Sequence, residues 1–269
     1  MTAPGAMPPP VPTVHLLVMA GGLGTRARRS DSAPRKQFRQ IAGASLLLWG
    51  VRELIQAPGV RIGAVVAAVP AAWRPLVEQE LAAAALPCRW LLADGGETRT
   101  ASAWSAAQAL AQAVGPRDAD LVAVHDAARP FATRHLLARV ATAAAVSGAA
   151  VPGVPVTDTI VGLTGEAPVH DTAHDAVGDP AGGAAPLVAY LDRAALRALQ
   201  TPQAFRWDLF HAAHAWCAER GLDFTDDGGL LAARGLPPVV VMGEPENWKV
   251  TTDADLARAE AVLQGRPDG

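Results

Sequence analysis

The chain has 269 residues, half of them hydrophobic, so it can bury a full core in one large domain or two small ones. Its formal net charge of −3 and pI of about 6.2 disfavour a nucleic-acid-binding protein, because binding to a phosphate backbone normally requires a wide basic face. Cys88 and Cys217 are too few for a disulfide framework and too far apart for a zinc motif, so we expect a reducing, cytoplasmic location.

The first 13 residues, MTAPGAMPPPVPT, are rich in proline. They contain neither a basic stretch followed by a long apolar core nor an anchor-like segment, so we expect a disordered lead-in rather than a signal peptide. The remaining residues, 14–269, are predicted to form a single domain with an arm.

Apolar runs alternate with segments of helical periodicity along this domain. The predicted strands are 14–19, 62–69, 89–92, 121–125, 149–154 and 238–241, and the predicted helices are 46–56, 73–85, 100–114, 135–147 and 208–220. Such alternation, with strands apolar almost throughout, is typical of an α/β fold with a mostly parallel sheet and helices on both faces. Ligands of these sheets bind beyond the carboxyl ends of the strands, so the loops at that edge are candidates for a site.

The loop after the first predicted strand begins with glycines. Gly21, Gly22 and Gly24 remove side chains where the backbone would approach a ligand, and free amides in such a turn bind anions. Their spacing fits neither the dinucleotide fingerprint nor the Walker P-loop, and a simple tight turn is the alternative.

Five cationic side chains follow in the same loop. Arg26 and Lys36 are suited to a triphosphate, whose negative charge they would neutralise during transfer. We interpret Arg28, Arg29 and Arg35 as solvated loop residues. The loop therefore indicates a site for a highly charged anion.

Two further loops follow the strands predicted at 89–92 and 121–125. In DGGETRTAS, backbone amides and Ser102 are candidates to contact a base, and a helix N-cap at Thr98 or Thr100 is the alternative. In HDAARPF, Asp126 is a candidate to bind Mg²⁺ or a substrate hydroxyl, or to cap the next turn. Arg129 would contact a phosphate or pair with Asp126, and His125 is interpreted as structural.

Residues 157–192 interrupt the alternation with β-prone ends around a middle rich in Gly, Ala, Pro and Asp. This pattern predicts a two-stranded arm, with a disordered insertion as the alternative. A projecting arm usually contacts a partner, so we expect a homodimer.

Lys36 and Lys249 are the only lysines in a chain whose positive charge is otherwise arginine. Such a bias favours lysine where a compact ammonium is required, although chance retention at the surface explains it equally well. Lys249 lies just before a helix predicted to begin near Asp253, with Thr252 as its N-cap.

Seven motifs occur in one order: the glycine-rich first loop, DGGETRTAS, HDAARPF, TDT, QTPQAF, FTDD and NWKVTT. Together they resemble the 2-C-methyl-D-erythritol 4-phosphate cytidylyltransferases of the non-mevalonate isoprenoid pathway, from about residue 14 to residue 263. The resemblance implies a Rossmann-like nucleotidyltransferase fold, a homodimer joined by arms, and Mg²⁺-dependent use of CTP. The phosphate of the polyol would attack the α-phosphate of CTP and release pyrophosphate, without a covalent enzyme intermediate or a catalytic histidine.

The resemblance also implies roles for individual residues. The catalytic residues would be Arg26, Lys36 and Lys249. The nucleotide-binding residues would be Ala20, Gly21, Gly22, Gly24, Gly96, Glu97 and Ser102. The residues that bind the polyol phosphate would be Asp126, Arg129, Thr159, Arg193, Thr201 and Thr225. Of these, Arg129, Thr159 and Arg193 would reach the neighbouring subunit's site, and Asp126 is also a candidate Mg²⁺ ligand, with the ion held mainly by the CTP phosphates.

The sequence departs from the family pattern in three places. It has AGG where AAG is more common, Glu97 where aspartate is common, and a first loop that is a few residues longer. None of these changes removes a charged group that the chemistry requires. A ribitol-phosphate or other polyol-phosphate cytidylyltransferase, a sugar-1-phosphate nucleotidyltransferase and a non-catalytic nucleotide-binding protein are the alternatives.

Overall fold

The structure is a computed structural model that describes residues 11–21, 36–163 and 187–265. Its strands are β1 (Thr13–Met19), β2 (Gln40–Ile41), β3 (Ala44–Ser45), β4 (Arg61–Val69), β5 (Arg89–Asp94), β6 (Leu121–Asp126), β7 (Ala149–Pro155), β8 (Val161–Leu163), β9 (Leu187–Tyr190), β10 (Arg197–Leu199), β11 (Gln203–Arg206) and β12 (Val239–Met242). Its α-helices are α1 (Leu46–Leu54), α2 (Arg74–Ala83), α3 (Arg99–Ala113), α4 (Arg134–Ser147), α5 (Trp207–Glu219), α6 (Asp227–Ala233) and α7 (Asp253–Gln264). Short 3₁₀ helices span Lys36–Phe38, Ala71–Trp73 and Arg193–Ala195.

Eight strands form one sheet, in which β5, β4, β1 and β6 are parallel neighbours. Strand β11 runs antiparallel between β6 and β7. Strand β10 is antiparallel to β7, and β12 lies parallel to β7. The predicted mostly parallel sheet is confirmed, and each predicted strand and helix is present with ends shifted by a few residues; β10 and β11 were not predicted.

Helices cover both faces of this sheet, as the uniformly apolar strands predict. Along the fully buried β1, Leu16 and Val18 pack with α1, α2 and α4, whereas Leu17 and Met19 pack with α3, α5 and α6. Side chains alternate between the two faces of a strand, so a central strand with apolar residues at nearly every position requires a helical layer on each side.

The helices that border the ligand edge begin at threonine caps. Thr98 accepts a hydrogen bond from the Ala101 amide and starts α3, and Thr252 forms a capping box with Asp255 at the start of α7. Thr252 is the predicted cap of α7, and Thr98 is one of the two caps considered for α3. Helix α7 then packs its Leu256 against a small separate core that includes Ile41 and Phe131. The C-terminal segment is thereby fixed against the parts of the chain that follow the first loop and β6.

The base of the predicted arm is present as β8 paired antiparallel with β9. Tyr190, the last residue of β9, is 73% exposed, and Leu191, which follows it, is 46% exposed. The middle of the arm, 164–186, and most of the predicted lead-in, 1–10, lie outside the described residues. Among the residues that the structure describes, no helix is both long enough and apolar enough to span a bilayer.

Candidate active site

The loops that the sequence singles out meet at the carboxyl edge of the sheet. Ala20 and Gly21 follow β1, Gly95 follows β5, and Asp126 is the last residue of β6. Backbone hydrogen bonds continue the sheet beyond these ends, from the Ala20 amide to Ala68 O (3.0 Å) and from the Ala127 amide to Met19 O (3.0 Å). The edge therefore presents backbone groups and side chains from three strands.

On the β1 and β5 side, the glycine loops approach each other closely. A Cβ atom at Gly21 would lie 2.5 Å from Ser102 Oγ and 2.9 Å from Gly95 Cα, so only glycine fits there without a shift. The buried Ser102 hydroxyl accepts from the Gly96 amide (3.0 Å) and donates to Thr98 O (2.8 Å). In this structure Ser102 shapes the loop, while Glu97 is exposed at its tip.

The two ends of the first loop are tied together. Gln37 donates its side-chain amide to Ala20 O at 2.9 Å. The predicted residues in the middle of this loop, Gly22, Gly24 and Arg26, lie outside the described residues.

On the β6 side, Asp126 is the centre of an ionic cluster. Its Oδ2 lies 2.8 Å from Lys249 Nζ and its Oδ1 lies 3.3 Å from Arg99 Nε. Arg129 Nε is 3.8 Å from Oδ2. Burial opposes ionisation of this carboxyl, but Arg99 and Lys249 hold its pKa well below the usual range of aspartate. Asp126 is therefore a carboxylate at neutral pH, and its side chain makes ion pairs instead of capping the next turn.

Arg99 is a site residue to which the sequence analysis assigned no role. Its Nη1 donates to Asp227 Oδ2 at 2.6 Å, and its Nη2 is buried without a hydrogen-bond partner among the described residues. Burial alone would lower the pKa of Arg99, but Asp227 and Asp126 together raise it above its ordinary value. A cation in the first turn of α3 is unfavourable, because it lies next to the positive end of the helix dipole. The unfavourable position of this arginine in DGGETRTAS is the sequence feature that could have identified Arg99 as a site residue.

His125 and Thr201 support the backbone under Asp126. The Thr201 hydroxyl accepts from the Asp126 amide (3.0 Å) and lies 3.2 Å from His125 Nδ1. His125 Nε2 lies 3.0 Å from Arg129 O, so a neutral ring with its hydrogen on Nε2 satisfies both contacts. Burial lowers the pKa of His125 to about 4, in agreement with a structural role.

The guanidinium of Arg129 donates to Asn247 O at 2.7 Å. The fully buried Asn247 in turn donates its side-chain amide to Thr201 O at 2.8 Å. These bonds fix the segment that carries Lys249 against the end of β6. They also hold Arg129, which was expected to reach the neighbouring subunit's site, in the cavity of its own chain.

A cavity of about 140 Å³ lies at this cluster. Residues that line it include Arg99, Asp126, Arg129, Thr201, Thr225 and Lys249. Five of these six are predicted site residues, and the sixth is Arg99. The cavity combines three cations and two hydroxyls with the carboxylates of Asp126 and Asp226, so it can bind an anion that also carries hydroxyl groups.

The C-terminal segment that carries Lys249 also binds Lys36. Its Nζ donates to Thr251 O at 2.7 Å and lies 3.2 Å from Asp253 Oδ1. The structure thus brings both lysines of the chain to one short stretch at the edge of the sheet.

Thr159 and Arg193 do not line this cavity. Both are exposed, and Arg193 donates to Thr157 O at 2.7 Å at the base of the arm. Their predicted contact with the polyol phosphate is therefore not made within the described part of one chain.

The cavity offers few ligands for a metal ion. Within the described residues, no group of three or more His, Cys, Asp or Glu side chains is arranged to hold one. Asp226 also lines the cavity, but its side chain caps the start of α6 and accepts from Gln203 at 2.8 Å. Both oxygens of Asp126, the predicted Mg²⁺ ligand, are likewise occupied, in this case by cations, so neither carboxylate presents a free oxygen to a metal ion in the described part of the chain.

Comparison with known proteins independently supports the family resemblance carried by the seven motifs. Residues 14–265 match the family model described as IspD, 2-C-methyl-D-erythritol 4-phosphate cytidylyltransferase. The 2-C-methyl-D-erythritol 4-phosphate cytidylyltransferase of Thermus thermophilus is 38% identical over 251 residues, covering 93% of this chain and 97% of that protein. A crystal structure of the same name, also from Thermus thermophilus, superposes with a TM-score of 0.63 at 34% identity and covers 93% and 98% of the two chains.

Longer relatives also match. A protein of Anaeromyxobacter named bifunctional enzyme IspD/IspF is 38% identical over 251 residues, which cover 93% of this chain but 57% of the relative. The chain therefore spans little more than half the length of several curated relatives that it matches.

Proposed function

The chain belongs to the 2-C-methyl-D-erythritol 4-phosphate cytidylyltransferase family, and on this premise we propose that it transfers CMP from CTP to 2-C-methyl-D-erythritol 4-phosphate. The products are 4-diphosphocytidyl-2-C-methyl-D-erythritol and pyrophosphate. One structural observation carries the proposal: the Lys249 ammonium is bound to a buried, ionised Asp126 beside a small cationic cavity at the ligand edge of the sheet. The family match favours this acceptor over ribitol 5-phosphate.

The acceptor phosphate is the nucleophile in this reaction, so the protein mainly has to position two anions and neutralise their charge. Lys249 and Arg129 line the cavity and would bind the acceptor phosphate and the reacting oxygens. Lys36, together with Arg26 of the first loop, would stabilise the charge that develops as pyrophosphate leaves.

Asp126 is not expected to remove a proton. Its oxygens are engaged by Arg99 and Lys249, and a carboxyl whose pKa lies far below the usual range is a weak base. We assign it the task of orienting Lys249 and accepting a hydrogen bond from a polyol hydroxyl, with the hydroxyls of Thr201 and Thr225 as further polyol contacts.

CTP would bind on the β1 and β5 side. Gly21 and Gly95 bring the backbones of the two glycine loops into close contact on this side. The residues that would surround cytosine and ribose there are Ala20, Gly21, Gly22, Gly96 and Glu97, and the buried Ser102 would hold the loop that carries Gly96. Gly24 of the first loop would also belong to the nucleotide-binding residues.

Mg²⁺ is proposed as the cofactor. The donor set fits an ion bound mostly by substrate, because Asp126 is the carboxylate ligand at hand and both its oxygens already have cationic partners. When bound, Mg²⁺ would neutralise charge on the triphosphate.

We also propose a homodimer joined through the arm, one nucleotidyltransferase domain over 14–269, and a cytoplasmic location. The exposed Tyr190 and Leu191 beside the base of the arm, and the exposed positions of Thr159 and Arg193, support contact with a second copy's site. The free thiols of Cys88 and Cys217 support a reducing compartment.

The proposal is tested by ³¹P NMR of the purified protein with CTP, Mg²⁺ and 2-C-methyl-D-erythritol 4-phosphate. We expect the phosphomonoester signal of the acceptor to disappear while a coupled pair of diphosphate signals and free pyrophosphate appear. An unchanged phosphomonoester signal after prolonged incubation would refute the proposed function.

A further inference from the structure

His214 on α5 is buried, and the proposed reaction does not use it. Its ring packs against Phe210 with centroids 4.3 Å apart, and its Nε2 lies 2.9 Å from Asp227 Oδ1. Its Nδ1 has no hydrogen-bond partner among the described residues. Asp227, the first residue of α6, is equally buried, so this pair lies inside the protein.

The pair is the inner end of a continuous ionic chain that ends in the cavity. Asp227 Oδ2 accepts from Arg99 Nη1 at 2.6 Å, and Arg99 Nε is 3.3 Å from Asp126 Oδ1. Asp126 Oδ2 is 2.8 Å from Lys249 Nζ. Carboxylates and cations alternate along this chain, and each carboxylate uses its two oxygens for two different partners.

The buried position of Asp227 explains why His214 matters. A buried carboxylate that loses a partner keeps its desolvation cost and competes more strongly for the cations that remain. For Asp227 the remaining cation is Arg99, whose Nε is also needed by Asp126. Loss of the His214 contact is therefore expected to draw the guanidinium toward Asp227 and away from Asp126.

The position of Arg99 indicates that these linked ion pairs affect the cavity and do not only stabilise the fold. Arg99 is a cation in the first turn of α3, where the helix dipole disfavours it, and it lines the cavity. Its Nη2 has no hydrogen-bond partner in the described part of the chain. Since Arg99 also ends the loop that carries Gly95 and Gly96, its orientation couples the nucleotide side of the site to the acceptor side.

We propose that His214 is a positioning residue: through Asp227 it fixes the Arg99 guanidinium, which sets the orientation of Asp126 and of the Lys249 ammonium. The inference rests on the proposed cytidylyl transfer, in which Lys249 contacts the reacting phosphates. It extends the site from the sheet edge into the core between α3, α5 and α6.

The test compares His214→Leu with His214→Gln by steady-state pyrophosphate release. Leucine removes the donor, whereas the glutamine side-chain amide places a donor near the position of Nε2. We expect His214→Leu to lower kcat about 10-fold with the KM for CTP changed less than about twofold, because small displacements of a reacting group mainly cost turnover. His214→Gln should recover kcat to within about threefold of the unmodified enzyme.

His15→Leu is the matched control. His15 is similarly buried, but it lies toward the opposite end of β1, with Nε2 3.8 Å from Asp120 Oδ2. This substitution should leave kcat unchanged at temperatures where the protein stays folded. A kcat of His214→Leu equal to that of His15→Leu, or a glutamine variant no better than the leucine variant, would overturn the inference.

If His214→Leu fails to fold, Asp227→Asn provides the second variant, since it keeps the volume and removes the charge that holds Arg99. An unchanged kcat in Asp227→Asn would overturn the inference. A crystal structure of His214→Gln or Asp227→Asn adds a readout that does not depend on activity. Arg99 should keep its contacts with both Asp227 and Asp126 in His214→Gln, whereas in Asp227→Asn it should shift away from position 227 and toward Asp126. The same Arg99 position in both variants would also overturn the inference. Absence of turnover in the unmodified protein would instead refute the proposed function.

Discussion

The segment from Asn247 to Asp253 carries Lys249 and binds Lys36, the only other lysine in the chain, but the carboxylates that the two lysines contact differ in burial. The Asp126 side chain that binds Lys249 is 11% exposed, and the Asp253 side chain near Lys36 is 96% exposed. The ammonium group of Lys249 therefore belongs to a buried ionic chain, whereas that of Lys36 belongs to a solvated ion pair.

This difference separates two halves of the site. The acceptor half, with Asp126, Arg129 and Lys249, is preformed, because each side chain has fixed partners in the structure. In the nucleotide half, Lys36 is held by one backbone carbonyl and a surface aspartate, which a triphosphate can readily displace. Substitution of Lys249 in the acceptor half should therefore affect both stability and turnover, whereas substitution of Lys36 in the nucleotide half should affect function alone.

The largest effect is expected for Lys249→Ala. It removes a charge that stabilises the transferring phosphate, so kcat/KM should fall about 1,000-fold. It also takes one partner from the buried Asp126, so the free energy of unfolding should fall by about 1–2 kcal/mol. Pyrophosphate release and urea unfolding measure the two effects, and a near-normal rate would remove Lys249 from the catalytic residues.

Lys36→Ala should lower kcat/KM about 100-fold and leave the free energy of unfolding within about 0.5 kcal/mol of its original value. Asp253→Asn is the matched control, because it removes the surface partner and keeps the ammonium. The control should retain turnover within about twofold. If Asp253→Asn were as inactive as Lys36→Ala, the ion pair rather than the free ammonium would be what the reaction requires.

Gly21→Ala tests the nucleotide half through its backbone. The new Cβ would meet Ser102 Oγ at 2.5 Å, so the glycine loops must separate and the KM for CTP should rise about 10-fold. Gly265→Ala, at the end of α7, is the control, since its added Cβ would meet nothing closer than 3.7 Å among the described residues. An unchanged KM for CTP in Gly21→Ala would argue that the nucleotide does not approach this loop.

Arg193→Ala tests whether the acceptor half is completed by the arm. The KM for 2-C-methyl-D-erythritol 4-phosphate should rise about 10-fold while the KM for CTP stays unchanged, because one charged hydrogen bond to phosphate is lost. In mixed dimers with Lys249→Ala, activity should return when the two substitutions lie on different subunits, since one composite site is then intact. Absence of any such recovery would contradict a shared site.

The last prediction concerns stability alone: the acceptor half should make the free energy of unfolding depend on pH. His125 has a pKa of about 4 in the folded protein, against about 6.5 when unfolded, so the unfolded state takes up a proton first as the pH falls. The neutral His125 ring contributes fully to the free energy of unfolding above about pH 6.5. As the pH falls toward 4, this contribution declines by at most about 3 kcal/mol. Urea unfolding at pH 7 and at about pH 4.5 should show a smaller acid loss for His125→Gln than for the unmodified protein, and equal losses would contradict this account.

The local pattern of apolar and glycine residues in the sequence was sufficient to predict the parallel part of the sheet. Strand β1 is apolar at nearly every position and ends at a glycine loop, so both its burial and its place at the site follow from sequence. Strand β11 was missed, because QTPQAF is short and its pairing with β6 is a long-range contact that periodicity does not reveal.

The candidate site was predicted where a residue follows a strand directly, as Asp126 does. Arg99 and His214 were not found, because their roles depend on Asp227, which is 128 residues from Arg99 in the chain. Burial of this ionic chain is created by α5 and α6 packing over α3. Such a contact has no local signature in the sequence apart from the unfavourable arginine at a helix start.

The central claim is that this site joins CTP to 2-C-methyl-D-erythritol 4-phosphate. The most direct measurement is the rate of pyrophosphate release with CTP and Mg²⁺, compared between that acceptor and ribitol 5-phosphate under identical conditions. We predict a kcat/KM at least about 100-fold higher for 2-C-methyl-D-erythritol 4-phosphate, the discrimination expected of a pocket built around the acceptor's own polar groups. Equal rates, or a preference for ribitol 5-phosphate, would contradict the assignment of this acceptor.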